Sequence, residues 1–184
     1  VRVVMNAALR LEYAVADARK KVTQSACNPD KEPVIRALVK KHENGRVLLI
    51  GQYLEQLDAL SAGLQIPLIT GATPAGERDK LFGAFRSGEI TKLMVSKVGN
   101  FAIDLPDANV LIQFSGTFGS RQEEAQRLGR LLRPKSDGVI AMFYSIVTKD
   151  SREQEFAMKR QLFLTEQGYT YKILEATNVL KGNV

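Results

Sequence analysis

Cysteine and histidine are nearly absent from this chain, and each scarcity removes a class of protein. The single cysteine, Cys27, excludes an internal disulfide framework and fits a reducing compartment. The single histidine, His42, stands in the charged run Lys40-Lys41-His42-Glu43, where an exposed helix end is expected. One Cys and one His are too few for a structural zinc site. No apolar run reaches the ~20 residues that a membrane-spanning helix needs, and no secretory signal pattern opens the chain. Also missing are a Gly-x-x-x-x-Gly-Lys-Ser/Thr phosphate loop, a Gly-x-Gly-x-x-Gly fingerprint and an acidic motif after a strand that could hold magnesium. A complete nucleotide hydrolase is therefore not contained in these 184 residues.

What remains is ordinary in bulk and basic in balance. The length suits one domain with a substantial core, and 45% hydrophobic with 25% charged residues is usual for a globular protein. A formal charge of +6 favours a polyanionic partner, nucleic acid or nucleotide, without specifying one. The chain opens on Val1 rather than Met, and a fragment of something longer is the expectation.

Residues 1–21 mix apolar and charged positions, and an extended entry followed by one helix is expected. Thr23 to Lys31 reads as a polar turn punctuated by Asn28-Pro29, and Pro33 to His42 as a helix ended by Asn44-Gly45. From Arg46 onward strands and helices alternate. Val47-Leu48-Leu49-Ile50 has the continuous apolar character of a strand buried on both faces. Tyr53 to Ala62 follows as a helix with Leu54, Leu57 and Leu60 inward, then Pro67-Leu68-Ile69 as a short strand. Thr73-Pro74 supplies an N-cap and first-turn proline for a helix through Phe85, with Leu81, Phe82 and Phe85 inward. Lys92 to Val95, Asn109 to Phe114 and a long Val139 to Val147 read as further strands. A helix opened by Asp150-Ser151 stops at Gly168, and Tyr169 to Leu174 can form a last strand. This alternation predicts an α/β fold: a parallel sheet with right-handed crossovers. Functional loops should then collect at the strands' carboxyl ends: Gly51-Gln52, Thr70-Gly71, Ser96-Lys97 and Ser115-Gly116.

Between the fourth and fifth strands lies the most pointed stretch, Gln126-Arg127-Leu128-Gly129-Arg130-Leu131-Leu132-Arg133. On a helix, Gln126, Arg130 and Arg133 fall within a sector of roughly 60°, opposite Ala125, Leu128 and Leu132. Ser120 and Glu123 form a capping-box pair at its start, and Pro134 stops it. Guanidinium cannot be neutralised and offers a planar fork of donors suited to phosphate oxygens. Gly129 leaves room beside that face for a ligand or another backbone. Taken by itself, the octet is equally readable as a solvated basic helix with an apolar underside.

These segments occur in a recognisable order. Ser96-Lys97-Val98-Gly99-Asn100-Phe101-Ala102-Ile103-Asp104-Leu105-Pro106 resembles the fifth motif of superfamily 2 helicases, and Gln126 to Arg133 their sixth. Val47 to Tyr53 occupies the place of the fourth, and Thr70-Gly71 that of an intervening nucleic-acid contact. The wording of Ile103-Asp104-Leu105-Pro106, Phe118-Gly119-Ser120-Arg121 and Glu124 to Arg130 resembles the bacterial branch of the XPB helicase family, over about Lys31 to Leu180. The resemblance implies the second RecA-like domain (residues 31–184) of a two-domain 3′-to-5′ DNA helicase motor, with residues 1–30 a helical linker. ATP and Mg2+ would be held mainly by an N-terminal motor domain of the same polypeptide, so this chain alone would be inactive. By matching motif position, Arg133 is the arginine finger, Arg130 its neighbour on the phosphates, and Gln126 and Gly129 support the nucleotide. Asp104 matches a ribose contact; Gln52, Thr70, Gly71, Ser96 and Lys97 match the nucleic-acid edge. Ala102 departs from the glycine that many helicases of this superfamily carry there, and its methyl crowds a close backbone approach to the Asp104 loop. DNA is the implied partner, repair or transcription proteins are further ones, and a bacterial, nucleoid-associated cytoplasmic setting is implied.

Plainer readings exist for each residue. Asp104 can be a turn aspartate, Thr70-Gly71 a strand exit, Ser96 a strand-end hydroxyl, and Lys97 a solvated charge. Phe114, Phe118 and Tyr144 suit packing better than base stacking. Glu123 suits a helix cap. The competing function is a basic α/β module that grips nucleic-acid backbone without ATP. A small-molecule enzyme on a similar sheet lacks any identifiable nucleophile or base.

Overall fold

The computed structural model describes residues 1–96, 108–115, 141–166 and 168–184. In chain order the elements are β1 (Arg2–Val3), α1 (Ala7–Val15), α2 (Ala18–Ala26), α3 (Lys31–Lys41), β2 (Val47–Gly51), α4 (Leu54–Leu64) and β3 (Leu68–Ile69). Next come α5 (Ala75–Ser87), β4 (Lys92–Ser96), β5 (Val110–Gln113), β6 (Met142–Ser145), β7 (Val147–Thr148), α6 (Arg152–Glu166) and α7 (Ala176–Leu180). Among the described residues, two compact units form. One takes residues 42–96, 108–113 and 141–144; the other takes 1–41, 114–115, 145–166 and 168–184.

The first unit is a sheet in the order β3-β4-β2-β5-β6, with β3, β4, β2 and β5 mutually parallel. β2 is its middle strand because Val47, Leu48 and Leu49 are wholly buried and Ile50 nearly so, as an apolar run with neighbours on both edges requires. α4 packs on β2, β3 and β4, and α5 on β4. Leu57 and Leu60 face inward but Leu54 is 54% exposed. Leucines three apart precess by about 60° per step on a helix, so the three spread over about 120° and Leu54, in the first turn, falls at the outer edge of the buried face. Phe82 and Phe85 are buried as expected and Leu81 is half-buried. α5 ends at Gly88, whose φ of 83° lies in the left-handed region; a Cβ there would also sit 3.2 Å from the Arg46 guanidinium.

His42 departs from the exposed helix-end expectation. It is half-buried, and its Nε2 lies 2.9 Å from the Tyr144 hydroxyl. Tyr144 is itself buried, as its packing role required, and burial pushes its phenol above the ordinary range. Phe114 is wholly buried too; Phe118, Glu123, Ser120 and the whole of the expected arginine helix lie outside the described residues.

In the second unit the entry holds two helices instead of one. Asn6 caps α1 by accepting from Leu9 N–H (3.0 Å), and Asp17 caps α2 by accepting from Lys20 N–H (2.8 Å). That second cap carries α2 through Ala26, so the expected Thr23–Lys31 turn contracts to the residues around Asn28-Pro29. There the Asn28 carboxamide oxygen accepts from Asp30 N–H, an Asx turn that opens α3.

The expected Val139–Val147 strand serves two sheets: Met142–Ser145 joins the five-stranded one, and Val147–Thr148 pairs with β1. Tyr169–Leu174 is not a strand. Tyr169 N–H donates to Leu164 O and Leu174 O accepts from Arg2 N–H, beside an isolated Arg2–Glu175 bridge. Among the described residues no strand pairs along its length, and alternating hydrophobicity does not suffice.

This second unit is organised around a buried ion pair. Lys31 is wholly buried, and its ammonium donates to the Glu153 carboxylate (2.7 and 2.9 Å), Phe114 O (2.8 Å) and Ala26 O (3.1 Å). Glu153 Oε2 also accepts from Thr148 N–H at 2.8 Å. Thr148 Oγ1 in turn donates to Ser25 O and accepts from Asn28, while Ser151 Oγ donates to Thr148 O. Three ammonium hydrogens thus meet three kinds of acceptor, which is how a buried charge is tolerated.

Candidate functional site

Strand register decides which loops meet. Gly51 pairs with Ser96, and Ile69 pairs with Val95 one step earlier. The residue after Ile69, Thr70, therefore stands level with Ser96 and Gly51. Neighbouring strands lie about 4.8 Å apart, so this row runs roughly 10 Å across the carboxyl edge of β3, β4 and β2. The sequence expected Gln52, Thr70, Gly71 and Ser96 along one edge, and the register brings them there. Gly51 and Ser96 are buried, Gln52 and Thr70 half-buried, and Gly71 exposed.

The Thr70 loop is tied down by its own polar atoms. Thr73 Oγ1 accepts from Thr70 N–H (2.9 Å), and Thr73 N–H donates back to Thr70 O (3.3 Å). Ala72 N–H donates to Thr70 Oγ1 at 3.2 Å. Thr73 is therefore turned into the loop and does not cap α5, whose N-cap position is Pro74 with no side-chain bond. A hydroxyl that accepts one bond still has its proton to give.

The structure adds one cation that sequence reading did not single out. Arg78, in the first turns of α5, donates from Nη2 to Thr73 O at 3.1 Å, and among the described residues its Nε has no partner. Its guanidinium thus sits at the Thr70–Thr73 loop with donors to spare. A basic residue one turn into a helix whose start borders a candidate phosphate loop is the signal that could have found it.

Lys97, Asp104, Gln126, Gly129, Arg130 and Arg133 lie outside the described residues. Among the described residues no group of His, Cys, Asp or Glu could hold a metal ion, and no helix is long and apolar enough to cross a membrane.

A family model described as ERCC3/RAD25/XPB C-terminal helicase matches residues 1–183. The chain belongs to that family. It is 52% identical over 182 residues to a protein of Kineococcus radiotolerans named DNA 3′-5′ helicase XPB, covering 99% of this chain and 33% of that protein. Against the Mycobacterium tuberculosis protein of the same name it is 52% identical over 180 residues, covering 98% and 33%. The chain thus spans about a third of the length of the curated relatives it matches. Among solved structures, the C-terminal domain of the DEAD-box protein Dbp5 superposes with a TM-score of 0.67 at 16% identity, covering 83% of this chain and 89% of that one. The fold is therefore the RecA-like α/β sheet of helicase C-terminal domains.

Proposed function

We propose that this chain is the second motor domain of an ATP-dependent DNA helicase or translocase moving 3′ to 5′, with residues 31–184 as the RecA-like domain and 1–30 as the segment leading into it. The end-to-end match to the XPB-type C-terminal helicase family is the observation that carries this reading. The carboxyl-edge row supports it, since Thr70, Gly71, Ser96 and Gln52 would border one stretch of DNA backbone; by motif position Lys97 would contact it too. Arg78 would add charge there, and the net charge of +6 has the right sign for a polyanion. ATP with Mg2+ would sit mainly on the missing first motor domain. Arg133 would reach it as the finger, Arg130 would take the phosphates beside it, and Gln126, Gly129 and Asp104 would border the nucleotide. Supplying the cation from a second domain makes hydrolysis depend on domain closure, which couples chemistry to movement.

A polypeptide carrying both motor domains is expected to hydrolyse ATP faster with DNA than without. It should displace a strand from a duplex bearing a 3′ overhang and not from one bearing a 5′ overhang. DNA binding indifferent to nucleotide, with no DNA-stimulated hydrolysis, would instead establish the non-catalytic binding module.

Within the same reading, Thr70→Val is expected to weaken DNA binding about equally across sequences. The lost contact is a neutral hydroxyl's, so affinity falls by about the same factor at every salt concentration; the plot of log affinity against log salt flattens by about 1 only where a phosphate-bound cation is removed. Titrations at several salt concentrations check this, and an unchanged affinity would leave Thr70 as a loop residue only.

A further inference from the structure

β1 has a parallel neighbour on each side, and the two differ in how far back they pair. Arg2 stands opposite Val147 on one side and opposite Glu175 on the other. On the Val147 side the bonding reaches the first residue, whose nitrogen donates to Ser145 O at 2.6 Å. On the other side it ends at Arg2, whose N–H donates to Leu174 O at 2.8 Å. From Tyr169 to Leu174 the chain is neither helix nor turn. Tyr171 and Ile173 line a groove with Val1, Arg2, Gln154 and Met158. Its apolar members lie open to solvent: Met158 is 54% exposed, Ile173 47% and Tyr171 39%.

A parallel ladder repeats every two residues. Carried back from the Arg2–Glu175 bridge, its next two steps fall opposite Ile173 and Tyr171, on the residues one and three before Val1. The nearer step needs an N–H given to Lys172 O and a C=O that accepts from Leu174 N–H. The farther step needs an N–H given to Thr170 O and a C=O that accepts from Lys172 N–H. Among the described residues those four groups of Thr170, Lys172 and Leu174 have no partner. Leu174 is only 8% exposed, where a bare N–H is costly.

We infer that the polypeptide leading into Val1 runs as a strand along Thr170–Leu174, completing a three-stranded parallel sheet with β1 and β7. This rests on the two-motor reading, in which sequence precedes this chain; the matched family model is of a C-terminal helicase part, and the chain spans 33% of the relative's length. Continuing β1 is the least costly way to cover this edge. Each added residue is already aligned by the one after it, whereas a second copy or a separate peptide gives up its translational freedom. The consequence concerns movement: the hinge on which the motor domains close lies upstream of this strand and not in residues 1–30.

Residue-resolved hydrogen exchange on the polypeptide with both motor domains tests this. The Lys172 and Leu174 amides are expected to be protected about 100-fold more than the Ile173 amide, which the register turns away from the added strand. Equal protection of the three overturns the proposal. So does protection that grows with protein concentration, which assigns the edge to a second copy. Proline in place of the residues one and three before Val1 removes both donated N–H groups. Protection at Lys172 and Leu174 is then expected to fall at least about 10-fold while Leu48 and Leu49 keep theirs; persistence overturns the proposal. Should the proline variant not fold, the alternation in the unmodified polypeptide decides. No readout here involves ATP or DNA. Protection without DNA-stimulated hydrolysis sinks the motor reading alone, and hydrolysis with unprotected amides sinks the strand alone.

Discussion

Replacing Arg133 by Ala in the polypeptide with both motor domains is expected to lower ATP turnover about 10³- to 10⁵-fold, with KM for ATP little changed. The physical case is charge development. As the γ-phosphoryl group leaves, negative charge spreads over its oxygens, and a guanidinium brought in by domain closure stabilises that arrangement more than the ground state. Arg133→Lys should recover little, because a compact ammonium cannot reproduce the planar two-pronged contact. Steady-state hydrolysis with saturating DNA checks both variants. Turnover within about 3-fold of the parent in Arg133→Ala, against the 10³ expected, would remove the finger from this residue.

Lys31→Met alone is expected to cost about 3–5 kcal/mol of folding stability, because it strands the Glu153 carboxylate in the interior without its cation. The double variant K31M/E153Q, which removes both charges together, should recover most of that loss. Urea denaturation of the two variants beside the parent measures both quantities. A loss below about 1 kcal/mol in Lys31→Met is what a solvent-exposed pair would give, and it would show that Glu153 finds water or another partner. The contrast with Arg36–Glu32 is instructive. That i, i+4 pair has a similar 2.7 Å separation, yet its side chains are 42% and 50% exposed, so removing it should scarcely register.

Much of the parallel sheet was legible because each of its strands is a local apolar run. Val47 to Ile50 announces a doubly buried strand without reference to anything else in the chain, and Lys92 to Val95 and Asn109 to Phe114 lie where strands formed. Family membership was legible in the same way, from short ordered motifs. The departures arose where a partner far along the chain decides the outcome. Tyr169 to Leu174 alternates as a strand should but, among the described residues, has no strand paired along its length, and the long run to Val147 is shared between two sheets. His42 looked solvated until Tyr144, 102 residues later, closed over it.

The linear order of residues determined the sheet-forming segments, the arginine octet and the family, since periodicity and motif spacing are properties of neighbours. Tertiary structure alone decided that Thr70, Gly51 and Ser96 stand in one row, because interstrand hydrogen bonds set register. It alone made Lys31 a buried cation, where the sequence showed only a polar residue in a turn. A charge can leave water only when its counter-charge is brought to it, and here Glu153 lies 122 residues away.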